Sequence, residues 1–327
     1  MTDIPAQNGF LVGVDIGGTK VAAGVVDSAG EIKSHSRKPM AAHGAASAGL
    51  AAVTSAIDAL TEGRGNGTGT LRGIGICSPG PLDPTTGIVI NPPNLPCWRN
   101  FPLAAEVARI YRVPVHVDND GNAAALAETL WGAGRGYKNV FYTTIGTGIG
   151  TGIVLNGEIY HGRTGAAAEG GHCSIDYRGP RCSCGKPGCI EVYASGPAIA
   201  KRARAKIIAD PGSSSTLLEL AGGSPDALTA TIVGQAYAAG DRAAREILES
   251  TIELLTLWLG NMVDLLDPEI LIMGGGVSTM LHPFFGQIRD RLPSCCVNPR
   301  SQEIPLVPAC YGEDAGIAGG AALSSST

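Results

Sequence analysis

At 327 residues the chain is long enough for two hydrophobic cores, and its 44% apolar against 16% charged residues is the balance of a folded globular protein. A formal net charge of −5 without any basic run excludes a partner gripped through nucleic-acid phosphates, which requires clustered Lys and Arg. The opening residues lack the basic start and apolar stretch of a secretory leader, and Glu253, Asn261 and Asp264 interrupt the longest apolar helical pattern, so no membrane span and a cytoplasmic location are expected.

Residues 10–15 read as a short buried strand, with 21–26 as its hairpin partner across Gly17-Gly18. A third strand is predicted over 32–37 and a helix over 45–60, followed by a flexible glycine-rich loop at 63–70. A strand over 71–77 runs into Ser78-Pro79-Gly80, and a helix over 101–111 with a buried strand over 113–117 completes a first lobe. A helix over 122–131 opens the second lobe. Strands at 140–145 and 152–155 then form another hairpin around a glycine loop. The long helix over 241–266 places Ile247, Leu254, Leu255, Trp258 and Met262 on one apolar face, and Pro268 stops it. A strand over 269–273 leads into Gly274-Gly275-Gly276, while 213–228 reads as a surface excursion without chemistry. The expected division is a smaller N-terminal lobe over 1–118, completed by a helix over 312–327, and a larger lobe over 119–311. Each hairpin joins an apolar strand to a glycine turn with a Thr, a repetition that fits a duplicated α/β fold with a nucleotide between its halves.

Holding a polyphosphate needs backbone N–H groups that no side chain shields, and glycine turns present them. Asp15, Gly17, Gly18, Thr19 and Lys20 combine N–H donors, a hydroxyl and a carboxylate suited to Mg2+; an ordinary tight hairpin would use the same glycines. No G-x-x-x-x-G-K-[ST] and no G-x-G-x-x-G occurs, which excludes the P-loop and the dinucleotide-binding fingerprint.

Nine cysteines without a secretory leader argue against a disulfide framework. Cys182, Cys184 and Cys189 crowd one loop, with His172 upstream. One His and three Cys make a closed tetrahedral set, the arrangement of a structural zinc ion. Cys77, Cys97, Cys173, Cys295, Cys296 and Cys310 read as reduced thiols. Glu169 and Glu191 flank the zinc loop and can pair with sugar hydroxyls, the metal fixing the loop without direct chemistry. At Asp118-Asn119-Asp120-Gly121-Asn122, after a buried strand, one polar residue can cap the next helix while another faces a cleft as general base. Asp120 is the choice for the base.

These pieces together resemble the ROK family (repressors, open reading frames and kinases), chiefly its bacterial glucokinases and other hexose kinases. The resemblance rests on DIGGTK at 15–20, SPGPLD at 78–83, NLPCW at 94–98, NDGNAA at 119–124, TTIGTGIGTGI at 143–153, EGGH at 169–172, CSCGKPGCIE at 182–191 and DPEILIMGGGV at 267–277. It implies an α/β fold of the two-lobed, actin-like (ribonuclease H-like) ATPase type whose lobes close around the sugar. It implies ATP with Mg2+ as donor, a hexose as substrate, and Asp120 as base. Sugar ligands would be Asn94, Asn119, Glu169, His172 and Glu191, with Ser78 and Gly80 lining the pocket. Gly17, Gly18, Thr19, Gly146, Thr147 and Gly148 would hold the phosphates, and Gly274, Gly275 and Gly276 the adenosine. Zn2+ would sit on His172, Cys182, Cys184 and Cys189, and a homodimer is common among such proteins. Many glucokinases of the family carry Ala where Gly121 stands, so N-acetylglucosamine, N-acetylmannosamine and fructose stay open beside glucose. Only fourteen residues precede Asp15, too few for a helix-turn-helix, so a repressor is not expected; a catalytically silent sugar sensor is the remaining alternative.

Overall fold

Strand β1 (Gly9–Ile16) is buried on both faces, as only a central strand is, and in the computed structural model it lies mid-sheet. Residues 9–62, 69–210 and 215–325 are described. β1 pairs antiparallel with β2 (Lys20–Val26), which pairs with β3 (Ile32–Pro39); the half-buried alternation of β3 marks it as the edge. Helix α1 (Ala46–Thr61) covers this sheet, and β4 (Thr70–Cys77) then adds to the other side of β1 in parallel. A two-stranded flap of β5 (Leu82–Asp83) and β6 (Ile88–Val89) precedes α2 (Leu103–Tyr111). β7 (Val115–Asp118) extends the parallel set beside β4, and α3 (Asp120–Leu130) follows directly.

By its internal contacts the chain separates into two compact units, the first of residues 1–138, 152–168 and 310–327, the second of 139–151 and 169–309. The second unit opens with β8 (Val140–Ile145) and β9 (Ile149–Leu155); the end of β9 belongs to the first unit, where β10 (Glu158–Ile159) pairs with it. Its helices are α4 (Glu191–Ala194), α5 (Gly196–Ala209), α6 (Ser215–Leu220), α7 (Ala230–Ala238) and α8 (Arg242–Leu266). β11 (Ile270–Gly274), α9 (Gly276–Leu281), α10 (Phe285–Arg291) and β12 (Leu306–Pro308) complete it, with β11 parallel to both β8 and β12. Asp241 caps α8, and its Trp258 meets Phe141 of β8 edge-on at 5.7 Å. The last helix, α11 (Ala315–Leu323), is in the first unit.

Some expectations change. The boundary expected at 118 falls at 138, because alanine-rich α3 buries itself against α11 inside the first unit. Residues 152–168 join the first unit too, and the helix expected from 122 starts at Asp120. Leu254 is half-buried rather than buried. The excursion expected over 213–228 carries α6 and buries Leu217 and Leu228, so it belongs to the core; residues 213–214 of it, and 63–68 of the glycine-rich loop, lie outside the described residues.

The first unit is closed by contact between backbones. α11 lies against β1 and β4 so tightly that a methyl group on Gly13 would sit 1.8 Å from the Ile317 carbonyl oxygen, and one on Gly75 1.7 Å from that of Gly320. Neither oxygen can swing away as a flexible side chain would. Overpacking of this kind costs about 3 kcal/mol or more. Gly75→Ala is therefore expected to lower the melting temperature by several degrees or to abolish soluble expression, read by near-UV circular dichroism on heating; unchanged melting would show that α11 does not seal this sheet.

Candidate active site

The carboxyl ends of the parallel strands β1, β4 and β7 carry the polar residues of the first unit. Asp15 lies level with Cys77, and Cys77 level with Asp118, so the three loops that follow begin side by side. Such an edge is where open α/β sheets place ligands. Asp15 is half-buried, and desolvation followed by the nearby charge of Asp120 raises its pKa, with Lys20 opposing. The β1–β2 turn closes when the Gly17 N–H donates to the Lys20 carbonyl at 2.9 Å. Neither Gly17 nor Gly18 has a left-handed φ. At Gly18 glycine serves close approach, since a methyl there would stand 3.1 Å from the Asn94 carbonyl. The turn and Asn94 are thus neighbours, and Thr19, Lys20 and Asn94 are exposed.

Ser78 is fully buried; its N–H donates to the Asp118 carbonyl at 3.0 Å and its hydroxyl to the Pro79 carbonyl at 3.3 Å. Its hydroxyl is thereby committed to its own loop. Gly80 approaches the Asn119 amide, 3.9 Å from where its methyl would be. Asn119 caps α3, its Oδ1 accepting from the Gly121 N–H at 2.9 Å. Asp120 also accepts from that N–H at 2.9 Å and otherwise remains exposed. Enough protein surrounds its carboxyl that desolvation raises its pKa, while the hydrogen bond from Gly121 works against the shift. Asn119 takes the capping role, and Asp120 is left open for chemistry.

One pairing beside this turn had no signal in the sequence. Asp118 is buried, and its Oδ2 meets His161 Nε2 at 2.6 Å. They stand 43 positions apart, and no local pattern couples them.

In the second unit the β8–β9 loop is closed by the Gly146 N–H donating to the Gly148 carbonyl at 2.9 Å, and the Gly196 N–H donates to the Gly146 carbonyl at 2.8 Å. Gly275, after β11, has φ +88°, and a methyl there would meet the Ile145 carbonyl oxygen at 2.4 Å, so only glycine fits. A cavity of about 370 Å³ opens beside Gly146, Thr147, Gly196, Thr231, Gly276 and Val277. A second, of about 620 Å³, shares Ala230, Thr231, Gly276 and Val277 and continues to Tyr237 and Phe284. Gly274 is buried within β11.

Glu191, the first residue of α4, joins two features of this unit. Its Oε2 accepts from the Ile149 N–H at 3.0 Å, beside Gly148, and its Oε1 lies 3.9 Å from His172 Nδ1. Glu169 is exposed at the entrance to the short turn Gly170–His172. That turn is pinned by the Gly170 N–H donating to Thr151 Oγ1 at 2.8 Å and by Trp258 Nε1–H donating to the Gly170 carbonyl at 3.0 Å.

The ligand atoms of His172, Cys182, Cys184 and Cys189 all lie within 4.8 Å of one another. Cys182 Sγ is 3.5 Å from His172 Nδ1, and Cys184 Sγ is 3.6 Å from Cys189 Sγ. Zn–S bonds of about 2.3 Å in a tetrahedron require sulfurs about 3.8 Å apart, so the four side chains fit a single zinc-sized ion. The Cys182 N–H to Lys186 carbonyl bond at 2.9 Å and Gly188 at φ +64° curl the loop around them.

The sequence pattern of the ROK family matches residues 11–327, and the fold is of the α/β, actin-like type found in ROK sugar kinases. The chain belongs to the ROK family. It is 35% identical over 314 residues to a glucokinase of Thermotoga maritima, with 96% of each chain covered. A ROK family glucokinase from Streptomyces griseus, solved in complex with glucose and AMPPNP, is 34% identical, with a TM-score of 0.80 over 97% of this chain and 100% of that one. A ROK family transcriptional regulator, a homolog of the E. coli MLC protein, gives a TM-score of 0.85 at 26% identity, covering 98% of this chain and 78% of the regulator. Among the described residues no helix is long and apolar enough to cross a membrane.

The raised pKa of Asp120 has a thermodynamic sign. Its contribution to folding is most favourable below the unfolded carboxylate pKa and is lost as pH rises through the higher folded value. Asp120→Asn is accordingly expected to melt above the parent at pH 7, with the difference shrinking as pH falls toward 4. A variant less stable at pH 7 would mean that the ionised carboxylate stabilises α3.

Proposed function

We propose that this chain is an ATP-dependent glucokinase that transfers the terminal phosphoryl group of ATP to the 6-hydroxyl of glucose. The observation that carries the reading is the exposed carboxylate of Asp120 at the head of α3, next to a capping Asn119 and among the loops that follow β1 and β4. The glucokinases of Thermotoga maritima and Streptomyces griseus, similar over almost the whole chain, support it. In this reaction Asp120 accepts the 6-hydroxyl proton as that oxygen bonds to the terminal phosphorus, and the bond from phosphorus to the ADP oxygen breaks. The β1–β2 turn, with Gly17, Gly18 and Thr19, and the β8–β9 loop, with Gly146, Thr147 and Gly148, supply the phosphate contacts. Asp15 supplies the carboxylate suited to the Mg2+ that accompanies ATP. The cavities beside Gly276 receive the nucleoside. Asn94, Asn119, Glu169, His172 and Glu191 hold the sugar, and Gly80 lies beside Asn119.

The Cys182, Cys184, Cys189 and His172 set would hold zinc in a structural role. An ion on His172 Nδ1 leaves the other ring nitrogen for a sugar hydroxyl, and Glu191 ties the same cluster to the β8–β9 loop.

Release of ADP in a coupled assay, measured for glucose, N-acetylglucosamine, N-acetylmannosamine and fructose, tests the assignment; glucose is expected to give the highest kcat/KM, and a preference for another sugar reassigns the substrate. Asp120→Asn is expected to bind glucose within a few-fold of the parent while kcat falls by about 10²–10⁴-fold. An active Asp120→Asn enzyme removes that residue as base. Metal analysis is expected to find one zinc per chain, and strong chelation to lower both melting temperature and glucose affinity; loss of neither on chelation sinks the metal assignment.

A further inference from the structure

Asp118 is the most deeply buried carboxylate beside the proposed base, at 3% exposure, and the reaction above makes no use of it. Both of its oxygens are committed. Oδ1 accepts from the Asn119 N–H at 2.7 Å and from Asn122 Nδ2 at 3.1 Å, and Oδ2 meets His161 Nε2 at 2.6 Å. The first two partners bracket Asp120, one just before it and one two residues after. Asp120 accepts from the N–H of Gly121, so the backbone of this turn helps set its aim. Asn122 is equally dependent: it is buried, and among the described residues its Oδ1 has no partner, so the hydrogen bond to Asp118 orients its amide. His161 reaches in from outside the turn, on a bend where its carbonyl accepts from the Ala167 N–H at 3.2 Å and Gly162 adopts φ +67°.

We propose that His161 is a positioning residue for phosphoryl transfer: through the buried carboxylate of Asp118 it fixes the Asn119–Asn122 turn and thereby the aim of Asp120. The proposal rests on the kinase reading above. A buried carboxylate stripped of its hydrogen-bonding partner seeks another, and the nearest donors are those that shape the turn. Loss of the imidazole therefore pulls on the very groups that aim the base. Charge acts in the same direction. Asp15, Asp118 and Asp120 lie close enough together that all three disfavour ionisation of the Cys77 thiol between them. The hydrogen bond to Asp118 raises the pKa of His161, which favours the form that places positive charge against this carboxylate group.

The test compares the purified full-length chain with His161→Leu, His161→Gln and Asp118→Asn, in melting temperature and in steady-state kinetics with glucose and MgATP. A misplacement of about 1 Å at a reacting group costs on the order of 10²-fold. His161→Leu is expected to lose between about 10- and 100-fold in kcat, with the KM for MgATP unchanged. His161→Gln keeps an N–H that can reach Oδ2 and is expected to recover most of the loss. Asp118→Asn is expected to match His161→Leu, and it decides the matter if His161→Leu fails to fold. Full kcat in His161→Leu overturns the proposal, as does a loss confined to the KM for MgATP or an equal loss in His161→Gln. An inactive parent on every sugar overturns the kinase reading and this proposal with it, an outcome distinct from an active parent with unimpaired variants.

Discussion

The first unit depends on one helix that has almost no side chains. α11 reads Ala-Gly-Ile-Ala-Gly-Gly-Ala-Ala-Leu, and it lies between the central strands and α3 at distances only glycine permits. Toward the sheet, Gly320 would collide with the Gly75 carbonyl oxygen at 2.5 Å if it carried a methyl group; toward α3, Gly319 would meet the Ala123 carbonyl carbon at 2.7 Å. Every added atom would push α3 outward. Because Asp120 is the first residue of α3, the packing at one face of that helix decides where the carboxylate at its head stands. The apolar small-residue composition is therefore a geometric requirement of the site, and only secondarily a contribution to hydrophobic burial.

In the second unit the comparable tie is a single side chain. Glu191 accepts from the backbone beside Gly148 with one oxygen and faces His172 and Cys182 with the other. Glycine loops are suited to phosphate because they lack side chains, and for the same reason they lack anything to hold them still. A carboxylate anchored next to a cluster of thiols and imidazole supplies the missing constraint. The similarity to a transcriptional regulator at a TM-score of 0.85, beside that to a glucokinase at 0.80, shows that the backbone alone does not separate kinases from regulators in this family.

What could be read from the sequence was local. The cysteine loop, the hairpin glycines and the polar run at 118–122 are each encoded within a few residues, because a turn or a ligand set needs its members adjacent. The capping ambiguity at that run was real, and it resolved by division of labour: Asn119 caps and Asp120 stays open. Long-range pairings were not legible. Asp118 with His161, Gly170 with Trp258, and the glycines of α11 with Gly13 and Gly75 depend on topology, and each residue alone has a bland explanation. The same reason displaced the expected boundary at 118, since α3 belongs with the first unit only once α11 is known to lie against it. Ser78, a polar residue in a conspicuous motif, is buried with its hydroxyl bonded within its own loop.

The first unit is assembled from three stretches, with residues 169–309 of the second unit made between the last two of them. On a ribosome, β1, β4 and α3 emerge early, yet the strip of backbone that α11 will occupy stays uncovered until the intervening stretch has been synthesised. The position of the Asp120 carboxylate thus depends on a helix that is encoded only after the whole 169–309 stretch of the second unit.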